Sequence, residues 1–562
     1  MLRYRVRIIF LFTSICLLSA CSPASDVDKV ASGSDQTVYT NAVIWTGDES
    51  QPSASVMVVE DGRITYIGEQ VPPSSDNATF VDLQKKFVIP GLIDNHVHFS
   101  EGGAGLAAVQ LRDASSKEEF VQRIADFAAT LAPDQWVLYG NWDHEAWGGE
   151  LPNKAWIDSV TPDNPVFVMR LDGHMGFANS IALDLAAITA ESVDPEGGKI
   201  ERDANGEPTG VLKDTAMDAV LNAIAEPSQE ERFRAINAAQ EHAFKLGLTQ
   251  VHVMTASPLE TDVFDIFKAA DEAGVLKIRT RVYSPLQNWQ AVLEALDEYR
   301  YQSPRLTWGG FKGLTDGALG STTAWFYEGY TDEPDNFGFP LIATGDLRTM
   351  VADANTQGIQ LALHAIGDRA IDAVIDVIAS VAGDDVAQRR FRIEHFQHPN
   401  MQAINRVAEH QIIASMQPYH AIDDGRWAEK RIGAERIKTT YAFNTILESG
   451  ALLSFGSDWP VAPLNPLLGI YAATTRQTID GANPLGWQPQ EKVSVEQALR
   501  AYTSTNAYAA FDENNTGRLA VGMQADFVVL DEDLRTIDPT KISSVQVLKT
   551  VLGGNQVYSK DD

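Results

Sequence analysis

Cysteine is nearly absent from this chain. Cys16 and Cys21 are the only two, both near the N-terminus. The chain beyond them can form no internal disulfide and holds no thiolate nucleophile and no thiolate zinc site. Positive charge is also scarce: 44 Lys and Arg stand against 76 Asp and Glu, a net charge of −32. That balance argues against a nucleic-acid partner, because phosphate binding needs basic patches. No long run of like charge and no internal repeat is present, so the acidity reads as dispersed solvated surface. The apolar run Ile8 to Leu18 is too short for a comfortable membrane span. What remains is 44% hydrophobic and 21% charged, an ordinary globular composition that excludes wholesale disorder. At 562 residues the chain exceeds one simple core.

Arg3, Arg5 and Arg7 precede that apolar run, and Leu18-Ser19-Ala20-Cys21 follows it. The arrangement resembles the signal peptide and lipobox of bacterial lipoproteins, with ordinary secretory cleavage near Ala20 as the alternative. The resemblance implies removal of residues 1–20, acylation of Cys21 and anchoring to a membrane. Ser22, where an inner-membrane lipoprotein would carry Asp, implies sorting to the outer membrane, facing the periplasm. Residues 21–37 are small and polar and read as a flexible tether.

From Val38 the pattern becomes strand-like. Ser55 to Glu60 and Ile64 to Gly68 flank Asp61-Gly62, a hairpin signal. The same texture returns near the C-terminus, at Asp526 to Leu530 and Val545 to Tyr558. The two β-rich ends predict one small composite β-sandwich domain, residues 38–88 and 515–562. Between them, short apolar runs alternate with helical segments. Eight strands are expected: Leu92–His98, Thr249–Met254, Ile278–Tyr283, Trp308–Lys312, Ile359–His364, Phe391–His395, Ile412–Met416 and Leu452–Gly456. Eight βα units predict a (β/α)₈ TIM barrel over residues 89–514, with catalytic groups at the strand C-terminal ends. Gln135–Tyr139 and Val166–Met169 also look extended. They fall in an insertion of about residues 100–245, too long to be a simple loop.

The polar residues gather at those strand ends. His96 and His98 close the first strand, and alternation along a strand points both imidazoles one way. Lys312 closes the fourth strand, His364 the fifth and His395 the sixth, and Asp458 follows the eighth. Four histidines, a lysine and an aspartate at one barrel mouth predict a metal site. Trp142, Trp147, Trp325, Phe326, Tyr327 and Trp459 are expected near the same mouth as an apolar pocket. His174 and His420 are further substrate-facing candidates, with Trp459. His252 is expected to be packed, and His144, His242, His398 and His410 to be surface or local structure.

The stretches GLIDNHVHF (91–99), FKGLTDGALGS (311–321), LHAIGDRA (363–370), RIEHFQHP (392–399) and FGSDWPV (455–461) together resemble the amidohydrolase superfamily of metal-dependent hydrolases. Within it, the match is to the branch of N-substituted formamide deformylase. The resemblance implies one metal on His96 and His98, a second on His364 and His395, and Lys312 bridging them as a CO₂-derived carbamate. A lysine beside a single metal is the alternative. Asp458 would be both ligand and general acid–base. The imidazole and carboxylate donors fit one or two zinc ions, and also manganese, iron or cobalt. The expected activity is hydrolysis of a small-molecule amide at a non-peptide C–N bond. Ester, lactone or cyclic-amide hydrolysis at the same centre, or a non-catalytic surface binding lipoprotein, are the other readings. Oligomeric state is not legible.

Overall fold

A computed structural model describes residues 36–73, 78–255 and 263–561. The expected signal peptide, the expected lipidation site Cys21 and nearly all of the expected tether lie outside the described residues.

The eight expected strands form one parallel sheet in chain order: Leu92–Val97, Leu248–Met254, Arg279–Pro285, Leu306–Leu314, Leu361–Ala365, Arg392–His395, Ile413–Met416 and Leu452–Phe455. The ends shift by a few residues from those read in the sequence, most at the fourth strand, which runs further in both directions. The helices between them bury one stripe. In Asp368–Ala382, Ile371, Val374, Ile375 and Ile378 face inward at helical spacing. Gln229–Lys245 starts at a Ser228–Glu231 capping box.

The eighth strand does not form a full ladder with the first. The gap is closed by local contacts instead. Val97 bridges Trp459 in parallel register. Asp458 N–H donates to His96 O at 2.7 Å, and His98 N–H donates to Trp459 O at 2.7 Å. The buried Asp94 carboxylate accepts the N–H of Ser457 at 2.9 Å and that of His96 at 3.1 Å. Gly456 permits this approach: a Cβ there would lie 2.3 Å from Asn95 Oδ1 and 2.7 Å from Asp94 Oδ1.

Between the first and second barrel strands lies a five-stranded sheet. Its strands are Val137–Trp142, Val166–Arg170, Met175–Ala178, Gly198–Arg202 and Pro208–Asp214. It encloses its own apolar clusters, one around Phe120, Trp142 and Phe177 and one around Phe167 and Leu212. Two further sheets follow, a four-stranded one built from strands within residues 37–82 and a six-stranded one that joins strands from near both ends of the chain. Phe527–Leu530 pairs antiparallel with Phe87–Pro90, so C-terminal and N-terminal strands share a ladder. Tyr39, Met57, Ile64, Val88, Phe527 and Val551, drawn from both sheets, bury into one cluster. The hairpin at Asp61-Gly62 is present, with both residues at positive φ (50° and 77°) and Glu60 paired to Arg63. Arg279 of the third barrel strand grips Asp526 through Nε at 2.6 Å and Nη2 at 3.1 Å, tying barrel to terminal sheets.

Gly456→Ala is expected to destabilise the protein by about 1–3 kcal/mol, because backbone of the first strand must give way. Gly105→Ala, where an added Cβ meets nothing within 4 Å, is the control. Denaturant midpoints of the two variants check this; equal midpoints would contradict the closure argument.

Candidate metal centre

Asp458 follows the eighth strand with φ at 62°, and its carboxylate is buried among imidazoles. Oδ1 lies 3.2 Å from His98 Nε2 and 3.3 Å from His96 Nε2. Oδ2 lies 4.0 Å from His395 Nδ1 and 3.9 Å from His420 Nε2. Lys312 Nζ is 3.1 Å from His96 Nε2. The His364 ring stands edge-on to His395 at 4.5 Å between centroids.

Each of three imidazoles engages the protein through one nitrogen. His96 Nδ1 meets Glu394 Oε2 at 2.7 Å, His395 Nδ1 meets Gln417 Oε1 at 2.8 Å, and His364 Nε2 meets Gly317 O at 3.1 Å. Such partners fix the tautomer and leave the other ring nitrogen as a lone-pair donor. Glu394 is itself locked. Arg392 donates Nε to Oε1 at 2.7 Å, and Ser415 Oγ donates to Oε2 at 2.6 Å. Asp316, fully buried, accepts the N–H groups of Trp325, Ile366 and Gly367 and so fixes the loop beside His364.

The electrostatics suit a cation. Burial, with Lys312 adding to it, pushes His96 down to about 4, and burial holds His364 and His395 well below the ordinary imidazole value. Burial alone would raise Asp458, yet the surrounding imidazoles hold it well below the carboxylate range. Burial likewise lowers Lys312 to about 8. His96, His364 and His395 are therefore neutral beside an ionised Asp458, the protonation state in which these groups ligate metal.

The residues fit a metal ion on two observations. Asp458 Oδ1 is buried and makes no hydrogen bond, although two imidazole nitrogens lie 3.2 and 3.3 Å away. Donors about 2.0–2.2 Å from one tetrahedral zinc are spaced about 3.3–3.6 Å apart, close to that separation. His96, His395 and Asp458 each present a ligand atom, all within 4.8 Å of one another. This grouping cuts across the two pairs expected from sequence. His98 joins it through Asp458, whereas His364 reaches it through the face of His395.

The remaining candidates are placed as follows. His420 stacks on His395 at 6.4 Å between centroids, at an interplanar angle of 8°. His174, on the insertion, lies 5.2 Å from the His364 ring. Trp459 is buried against Gly102, Phe99 and His242. The apolar pocket expected from the aromatics needs correction. Trp142 is wholly buried in the insertion core, and Phe326 is wholly buried against Tyr330 and His398. A neighbouring Gly or Pro does not distinguish a core aromatic from a pocket wall. His252 is packed, bonded to Arg392 Nη1 at 3.1 Å. Sequence reading passed over Glu394, Arg392, Asp94, Asp316 and Asp214. For the first two a signal existed: opposite charges at i and i+2 in a short strand that ends at His395.

The sequence matches the Amidohydrolase family profile over residues 79–558. It is 40% identical over 536 residues to Protein LONG AFTER FAR-RED 3 of Arabidopsis thaliana, covering 93% of this chain and 91% of that protein. It is 28% identical over 542 residues to N-substituted formamide deformylase of Arthrobacter pascens, covering 92% and 98%. The crystal structure of an uncharacterized metal-dependent hydrolase from Pyrococcus horikoshii is similar at a TM-score of 0.73 and 27% identity, covering 90% of this chain and 99% of that one. With the profile spanning most of its length and a metal-fitting cluster at its barrel mouth, the chain belongs to the amidohydrolase family.

Proposed function

We propose that this protein hydrolyses a non-peptide carbon–nitrogen bond in a small N-acyl or N-formyl amine. The observation that carries the reading is Asp458: an ionised, buried carboxylate among His96, His98 and His395, with one oxygen free of protein hydrogen bonds. The likeness to N-substituted formamide deformylase supports the bond type.

His96, His98, His364, His395 and Asp458 would hold one or two divalent ions, with zinc favoured by the donor set. A bound metal supplies Lewis acidity toward water and toward the substrate carbonyl. The chain's own groups do the rest. Asp458 takes the proton from the attacking water; the C–N bond breaks; and Asp458 returns that proton to the departing nitrogen, releasing acid and amine. Glu394, Gln417 and the Gly317 carbonyl keep the imidazoles aimed. Burial disfavours the ammonium form of Lys312, and its neutral amine would be able to add CO₂ with loss of a proton, giving a carbamate that would serve as a further oxygen ligand. His420 and His174 would border the substrate. Trp459 would shape the mouth from beneath the loop after the eighth strand. We read residues 89–514 as the hydrolase barrel and the two terminal sheets as a composite β-sandwich. The protein is further proposed to be a lipoprotein, acylated at Cys21, exported and anchored in the outer membrane facing the periplasm.

Asp458→Asn is expected to retain most of its metal while turnover of N-formyl and N-acyl amines falls about 10²–10⁴-fold. Metal analysis beside a steady-state assay checks this, and full activity in the variant would remove the assignment. Glu394→Gln is expected to weaken metal binding about 10–100-fold, read by competition with a chromogenic chelator. Unchanged affinity would deny Glu394 its aligning role. In a bacterial host, the wild type is expected to incorporate an alkyne-tagged palmitate and to sediment with membranes, and Cys21→Ser to do neither. An unlabelled, soluble wild type would end the lipoprotein reading.

A further inference from the structure

Asp214 ends the insertion strand Pro208–Asp214 with φ 47° and ψ −127°. That conformation lies outside the regions open to a residue with a side chain. Such residues persist only where surrounding structure over-determines them, and they gather at functional sites. The Asp214 side chain explains the constraint here. Its Oδ1 accepts from His174 Nδ1 at 2.6 Å. The same oxygen sits over Gly317, where an added Cβ would come within 3.2 Å of it. Gly317 is also the residue whose carbonyl meets His364 Nε2. Asp214 Oδ2 is buried and has no hydrogen-bond partner.

His174 is held a second time. Its backbone N–H donates to Asp172 Oδ1 at 3.2 Å. Asp172 Oδ2 accepts from Arg170 Nη1 and from Ser321 Oγ, each at 2.6 Å. Ser321 belongs to the loop after the fourth barrel strand, so His174 is fixed relative to the barrel as well as to the insertion. With Nδ1 committed to Asp214, Nε2 makes no hydrogen bond among the described residues. The side chain keeps 12% of its surface exposed, on the His364 side of the cluster.

The geometry points to His174 as a substrate-contacting residue and to Asp214 as its positioning residue. Asp214 selects the Nδ1–H form of the ring and leaves Nε2 as an acceptor for the N–H of the bound amide. The inference rests on the proposed amide hydrolysis. It adds a polar contact delivered by the insertion, separate from Asp458, which sits among His96, His98 and His395. It also accounts for the strained backbone: a pair with only a packing role would be served by an unstrained residue at 214.

The test uses full-length, metal-loaded protein and three variants: Asp214→Gly, His174→Gln and the double substitution. Glycine adopts the backbone of residue 214 freely, so Asp214→Gly separates strain from chemistry. Expected for Asp214→Gly are a thermal midpoint no lower than wild type and full metal content. Acetohydroxamate, measured by calorimetry, is expected to bind at least tenfold more weakly. N-formylbenzylamine turnover is expected to fall about 10–100-fold in kcat, the range seen when an orienting partner is removed. His174→Gln should match it, and the double variant should lose little more, because the two residues act as one unit. Variants indistinguishable from wild type in probe binding, including no binding by any of them, would overturn the inference. If the wild type cleaves no amide while the probe losses hold, the bond assignment falls and the His174–Asp214 pair stands. If amide turnover is normal in all variants, the pair falls and the bond assignment stands.

Discussion

The Glu394 carboxylate joins the barrel interior to the metal-fitting cluster, and much of the cluster's geometry depends on it. Removed from water, a carboxylate is tolerable only when paired and fully hydrogen-bonded. Glu394 meets both conditions through Arg392, Ser415 and His96. Arg392 is equally buried, and its other donors reach the Asn95 carbonyl, Ser415, Tyr283 and His252. The pair is thus a plug of satisfied polarity in the barrel, with one acceptor facing His96. That acceptor decides which nitrogen of His96 turns toward Asp458. Exchanging the plug for apolar side chains could preserve the fold, but it would leave the His96 ring without an orienting partner.

A second constraint acts at the seam between the first and eighth strands. No full ladder joins them, so the positions of His96, His98 and Asp458 depend on a few backbone bonds and on Asp94, whose carboxylate accepts amides from both sides. Burial pushes Asp94 up to about 7, because its amide bonds only partly offset the loss of water. His96 and His98 lie two and four residues beyond Asp94 on one side of the seam, and Asp458 lies next to its partner Ser457 on the other. Seam closure and ligand placement are therefore one structural problem, which is why Gly456 cannot carry a side chain without disturbing both.

The parallel sheet was legible because its strands are buried runs ending in polar ligands, a pattern that few other arrangements produce. All eight strands stand where the apolar runs placed them, and His96, His98, Lys312, His395 and Asp458 converge as strand ends of one barrel must. The pairing of ligands was not legible. Spacing along the chain says that His364 and His395 end adjacent strands, but not that His364 Nε2 turns to the Gly317 carbonyl. Supporting carboxylates were hidden for a related reason: Asp94, Asp316 and Asp214 work through backbone amides or a distant ring, and such partners leave no local pattern. The aromatics misled because composition beside Gly or Pro does not reveal which side of a loop packs.

The insertion is where the barrel's generic chemistry acquires a wall of its own. Its sheet is not merely tethered at its two ends. Asp143 receives Arg426, Glu145 receives Arg431, and Asp172 receives Ser321, two contacts from the segment after the seventh barrel strand and one from the loop after the fourth. Arg170 sits at the middle of this set, wholly buried, bonded to Asp143, His144 and Asp172 together. Charge-assisted bonds that are buried and shared resist separation far more than exposed pairs do. The insertion therefore stands as a fixed side of the mouth rather than a flap. A side chain offered from such a wall can be held to the tolerance that catalysis demands, because its support does not move when substrate enters.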